Sequence, residues 1–191
     1  MKQYDFAHVS PGTGIPSVVN AIIEIPKGRR SKFEIDKETG LFRLDRYLFS
    51  SSHYPGDYGF IPQTLADDGD ALDILVMVNE PTFSGCLIEA SVVGLFRMTD
   101  RDAADYKVLG VPHSDPLFHH VRGLSDVPSH FLREVEYFFS TYSSSRVCPL
   151  KPKDGLGPIR QLRRFVHPWS ATRNGGHDLN SPTPNIRRVF R

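Results

Sequence analysis

Asp68, Asp70 and Asp73 crowd into the stretch DDGDALD (67–73), which runs directly into the apolar segment ILVMV. Acids at that density beside a buried strand are costly. An ionised carboxylate withdrawn from water without a partner costs several kcal/mol, and like charges a few ångströms apart raise each other's pKa. Bound cations would relieve both costs. The competing reading is an aspartate-glycine turn on the surface.

A second acidic group lies in MTDRDAADYKVLGVP, where Asp100, Asp102 and Asp105 precede Lys107. Asp100 and Asp105 are read as bracketing a loop after a strand that ends at Met98, so that both clusters meet at one barrel mouth. A solvated turn at AADYK is the alternative. Hard divalent cations such as Mg²⁺ take oxygen ligands and are held by a few carboxylates together with water and substrate phosphate. Calcium in an EF-hand is excluded by spacing: with Asp68 first, Asp73 falls where glycine is required and Asn79 where a bidentate Glu is expected. The eight His show no HExxH spacing for a zinc hydrolase.

Cationic and phenolic residues indicate what such a site would accept. Lys32, Arg46, Tyr54, Tyr58 and Lys107 sit at strand ends or in turn-rich stretches and are donors suited to phosphate oxygens. Taken singly, each reads as a solvated strand-edge charge or a turn aromatic. Together with the acids they describe a metal-assisted site for a compact, highly charged phosphate compound.

The elements that must position these groups are mostly strands. VVNAIIEIP (18–26), KFEID (32–36), LFRLDRYLF (41–49), DILVMV (73–78) and LIEASVVGLFRM (87–98) are β-branched or alternating runs, separated by KETG, YPGDYG and EPTFSG. KETG reads as a hairpin connection. Short strands at close spacing predict a closed or nearly closed antiparallel barrel. The expected class is mainly β with flanking helices (α+β), a five-stranded OB-like barrel with at least one packed C-terminal helix. That helix is expected over 125–142, with Ser125 or Asp126 as N-cap, Pro128 in the first turn, and Phe131, Val135, Phe138 and Tyr142 on one face.

At 191 residues, 39% hydrophobic and 24% charged, the chain fits one globular domain with an added tail. No apolar run approaches the roughly 20 residues of a spanning helix, and MKQYDFAHVS lacks the apolar core of a signal peptide. A cytoplasmic protein without membrane contact is expected, and Cys86 and Cys148 are read as reduced thiols.

EIPKGRRSKFEID, DRYLFSSSHYPGDYGFIPQTLADDGDALDILV and FRMTDRDAADYKVLGVPHSDP resemble successive segments of the soluble family I inorganic pyrophosphatases of bacterial type, over about residues 22–142. The signature D-(S/G/D/N)-D-(P/E)-hydrophobic-D is met except that Ala71 replaces the usual Pro or Glu. The resemblance implies Mg²⁺-dependent hydrolysis of inorganic pyrophosphate. It implies Asp68, Asp73 and Asp105 as ligands of the two principal Mg²⁺ ions and Asp100 as a ligand of a metal arriving with substrate. Asp70 would be the general base, with Asp105 the alternative. Lys32, Arg46, Tyr58 and Tyr142 would grip the phosphates, and Glu24, Glu34, Tyr54 and Lys107 would complete the cavity. A homo-oligomer, a hexamer, is implied as well.

The resemblance breaks at Ser143, where the family carries a phosphate-binding Lys. Residues 1–142 hold 13 Lys plus Arg against 20 Asp plus Glu, net −7, whereas 143–191 hold 10 against 2, net +8. The catalytic unit is therefore expected over 1–142, followed by an atypical basic Pro/Arg/Ser-rich tail over 143–191. Three readings of the tail compete: a reading-frame shift, a disordered extension, or a nucleic-acid-binding appendage resting on RQLRRF and NIRRVFR. The first is preferred, and nucleic acid is not an expected partner. A catalytically impaired metal- or phosphate-binding relative with a basic tail is the alternative function.

Overall fold

A computed structural model describes residues 6–48, 50–100, 103–142 and 146–149, without the side chains of 7, 99, 100, 103, 104, 142 and 146–149. Its strands are β1 (Val18–Ile25), β2 (Ser31–Ile35), β3 (Phe42–Tyr47), β4 (Asp57–Ile61), β5 (Leu72–Val76), β6 (Leu87–Asp100), β7 (Ala103–Pro112) and β8 (Arg146–Pro149), with one α-helix, α1 (Ser129–Tyr142). The order β1-β4-β5-β7-β6 closes through a β1–β6 pairing into a five-stranded barrel, and β2–β3 form a separate hairpin. This is the expected mainly-β, OB-like architecture with a C-terminal helix.

Four local expectations are corrected. YPGDYG does not simply break the chain, because Asp57–Ile61 is a barrel strand hydrogen-bonded to both β1 and β5. Asp105 lies on a strand rather than a loop, since β6 runs on to Asp100 and β7 pairs with it from Ala103. The barrel is not wholly antiparallel, because β5 and β7 run parallel with Asp73 opposite Lys107. KETG connects β2 to β3 as expected, with Ile35 opposite Phe42. The α-helix begins at Ser129 rather than 125. Leu124–Asp126 form a 3₁₀ turn instead, in which Asp126 accepts from the amides of Arg122 and Gly123 at 2.8 and 3.1 Å.

Alternation along the strands creates two cores. Val19, Ala21, Ile23, Leu72, Ile74, Val76 and Val108 pack together on one strand face. Ile25, Tyr58, Leu75, Leu109 and Val111 pack with Val135, Phe138 and Phe139 of α1 on the other. A five-stranded barrel has no room for a helix inside it, so the face bearing α1 is the outer wall. The helix buries Val135, Phe138 and Phe139, an apolar stripe of the kind the sequence predicts.

β8 joins β6 through Phe96–Thr99, beyond the part of β6 that closes the barrel on β1. Thus residues 146–149 of the basic segment belong to the sheet, while Ser143 and the remainder of that segment lie outside the described residues.

Candidate active site

Asp73 shares a strand face with Leu75, and Lys107 and Asp105 share one with Leu109, so parity places all three on the outer wall beside α1. They stand on the barrel's side rather than at its mouth. The Tyr58 hydroxyl donates to Asp73 Oδ2 at 2.7 Å. The Lys107 ammonium donates to that same oxygen and to Asp105 Oδ1, the latter at 2.9 Å.

The environment shifts these groups in ways that show its charge balance. Burial lowers the Lys107 pKa, but Asp73 and then Asp105 outweigh it and the net shift is upward. Burial raises Tyr58, and the Asp73 charge adds to it. Asp105 is raised by burial against the pull of Lys107, with Asp73 and Asp68 pushing further up. One ammonium therefore stands against several mutually repelling acids.

Glu24 belongs to the same neighbourhood through a backbone irregularity. β1 pairs Ile23 with Gly59 and Ile25 with Tyr58, leaving Glu24 as the extra residue of a bulge. Bulges re-aim side chains and are common beside active sites. The Glu24 carboxylate accepts from the Ile35 amide at 3.1 Å. Its pKa is pushed up to about 7, chiefly by burial, with Asp73 and Glu34 adding to the rise and Lys32 opposing it. Glu24 thus senses both the outer-wall acids and the hairpin.

Lys32 and Arg46 face each other on β2 and β3, with Asp45 the extra residue of a second bulge. Lys32 contacts Glu34 and lies 3.3 Å from Asp45, while Arg46 Nη1 is 3.0 Å from the same Asp45 oxygen. Tyr54 is buried and packs in tilted contact with Tyr58 and Phe138 at centroid distances of 5.5 and 4.7 Å, linking site to helix.

Asp68 and Asp70 occupy the turn between β4 and β5. Gly69 takes φ +89°, a conformation that favours glycine. The Asp70 amide donates to Asp68 Oδ1 at 3.0 Å, and Asp70 Oδ1 is 2.8 Å from Lys37 Nζ. The Lys37 contact escapes sequence reading, because a Lys in a KETG turn carries no signal beyond solvation. Asp100 ends β6 and Tyr142 ends α1, but both side chains lie outside the described residues.

The donor set suits a hard divalent cation. Carboxylates raised by burial and by one another gain most from an added positive charge, and all the acids in reach are oxygen donors. Among the described residues they do not converge as a ready-made three-ligand cage; Lys107 sits between Asp73 and Asp105. A cation with mainly water and substrate ligands needs only a few such carboxylates.

An OB-like barrel with acids, an ammonium and phenols on its outer wall suits metal-assisted hydrolysis of a phosphate anhydride. The pattern of the family described as inorganic pyrophosphatase matches residues 21–154. The inorganic pyrophosphatase of Halalkalibacterium halodurans is 52% identical over 127 residues, 66% of this chain and 78% of that protein. The Nostoc enzyme is 48% identical over 134 residues, covering 70% and 79%. The crystal structure of the Thermus thermophilus inorganic pyrophosphatase superposes with a TM-score of 0.77 at 36% identity, over 84% of this chain and 96% of that one. The chain belongs to the inorganic pyrophosphatase family, and its reaction is the hydrolysis of pyrophosphate.

Proposed function

We propose that the chain hydrolyses inorganic diphosphate to two phosphates with Mg²⁺ as cofactor. Asp68, Asp73 and Asp105 would hold the principal ions, and Asp100 would hold a further one. The reading is carried by the Tyr58–Asp73–Lys107–Asp105 cluster, in which hydrogen-bonded acids have too little positive charge of their own. Bound Mg²⁺ supplies a more acidic attacking water and charge balance for the leaving phosphate.

The chain's own residues do the rest. Lys32 and Arg46, paired on the hairpin, exchange Asp45 for phosphate oxygens, and Tyr58 and Tyr142 add phenolic donors. Asp70 takes the proton of the attacking water; the water oxygen bonds to phosphorus as the bridging P–O bond breaks and the electron pair leaves with the second phosphate. Lys107 bonds both Asp73 and Asp105 and so offsets their mutual repulsion, and their partial burial limits the water around them.

A homo-oligomer, hexameric by the family resemblance, and a cytoplasmic location complete the proposal. Among the described residues no helix is long and apolar enough to cross a membrane. Phosphate release from pyrophosphate tests the central claim. Release requires Mg²⁺ and falls about a hundredfold or more in Asp73→Ala, with Mg²⁺ affinity by calorimetry falling in parallel; release indifferent to both changes refutes it.

A further inference from the structure

The hairpin meets the acid loop where Lys37 Nζ lies 2.8 Å from Asp70 Oδ1. Both partners have well-defined backbones. Asp36, just before Lys37, accepts from the amides of Glu38 and Thr39 at 3.1 and 2.8 Å and from the Thr39 hydroxyl at 2.9 Å, and it pairs with Arg43. The tip closes through Asp36 N to Leu41 O at 2.8 Å and Gly40 N to Asp36 O at 2.7 Å. Across the gap, the Asp70 carbonyl accepts from Ala66 at 2.7 Å and its amide donates to Asp68.

The Asp70 side chain itself is 68% exposed. Its backbone turn does not choose a rotamer for it, and ordering a free side chain costs conformational entropy. A cation on Oδ1 selects one orientation and leaves Oδ2 as an acceptor. Exposed ion pairs add little to global stability, so this contact matters through geometry.

We infer that Lys37 is a positioning residue for pyrophosphate hydrolysis: from the tip of the hairpin that carries Lys32 and Arg46, it orients the Asp70 carboxylate toward the attacking water. Substrate donors and base are then linked through the β2–β3 hairpin. The inference rests on Asp70 being the base.

Steady-state kinetics at saturating Mg²⁺ on Lys37→Met, Lys37→Arg, Asp70→Asn and the Lys37→Met/Asp70→Asn double variant test it. Lys37→Met lowers kcat about tenfold with KM within about twofold, the signature of lost alignment. Lys37→Arg returns kcat to within about threefold of wild type, and Lys37→Met costs nothing further once Asp70 is Asn. In the metal-free protein, the Gly69 and Asp70 amides exchange faster in Lys37→Met. An unchanged kcat and unchanged exchange in Lys37→Met, beside a large loss in Asp70→Asn, overturn the inference alone. The same tenfold loss in the Asp70→Asn background also overturns it, since Lys37 then acts elsewhere. Wild-type turnover in Asp70→Asn overturns the base assignment and the inference with it.

Discussion

Asp73 and Lys107 face each other across the parallel pairing of β5 and β7, and the Lys107 ammonium spans from Asp73 to Asp105. Lys107 is thus the protein's internal counter-ion for two of the acids proposed to hold Mg²⁺. Replacing it with Met leaves two half-buried carboxylates to repel each other. Lys107→Met should lower unfolding free energy in chelator by about 2–3 kcal/mol, below the full cost of an orphaned buried charge because the acids are partly wetted. Urea unfolding should show excess Mg²⁺ recovering part of that loss; an equal deficit with and without metal would contradict the counter-ion role.

Glu24 makes metal-free stability pH-dependent. Its folded pKa of about 7 exceeds the unfolded value of 4.5, so its contribution is present below pH 4.5 and is lost as pH rises through about 7. Glu24→Gln, which mimics the protonated form, should therefore melt higher than wild type in chelator at pH 8 and equally at pH 4.5. Thermal melts across that window would show the two curves converging towards acid; a constant offset would contradict the assignment.

Gly59 is required by the close passage of β1. A methyl group there overlaps the Ile22 carbonyl and lies 2.8 Å from Ile23 Cα, and backbone atoms cannot yield as a side-chain end can. Gly59→Ala should cost about 4 kcal/mol or more and disturb Tyr58 and Glu24 on either side of the bulge. Circular dichroism with denaturant would show it, and a soluble variant of wild-type midpoint would refute it.

Phe138 supports the site from behind, its ring centroid 4.7 Å from that of Tyr54, which in turn packs against Tyr58. Phe138→Ala should destabilise by about 3–5 kcal/mol and raise KM for pyrophosphate as Tyr58 loses its backing. Phe138→Leu, which keeps most of the volume, should lose far less stability, and equal losses would point away from packing.

The acid loop is legible in the sequence because Asp, Gly and Asp at that spacing beside an apolar run have few inexpensive explanations. The KETG hairpin and the α1 stripe are legible for similarly local reasons. β4 is not, because Pro55, Gly56 and Gly59 read as turn residues, whereas Gly56 and Gly59 lie where the backbones of β5 and β1 approach closely. Strand periodicity also could not show that Asp105 continues a hairpin, or that the acid-bearing wall faces α1 rather than the barrel mouth. That choice depends on which face the helix covers. Lys37 is illegible for another reason: its partner lies 33 residues away, joined to it by tertiary packing alone.

The parallel β5–β7 pairing also governs when the site can come into being. Its strands are separated by the whole of β6, and the Asp73–Lys107 contact spans 34 residues, so no isolated hairpin contains it. The β4–β5 hairpin carries Asp68, Asp70 and Asp73, and Lys107 and Asp105 join them only when β7 pairs with β5. On the proposed Mg²⁺ assignment, the ion would meet its carboxylates together only once the ring has shut, and would stabilise the finished barrel by binding it alone.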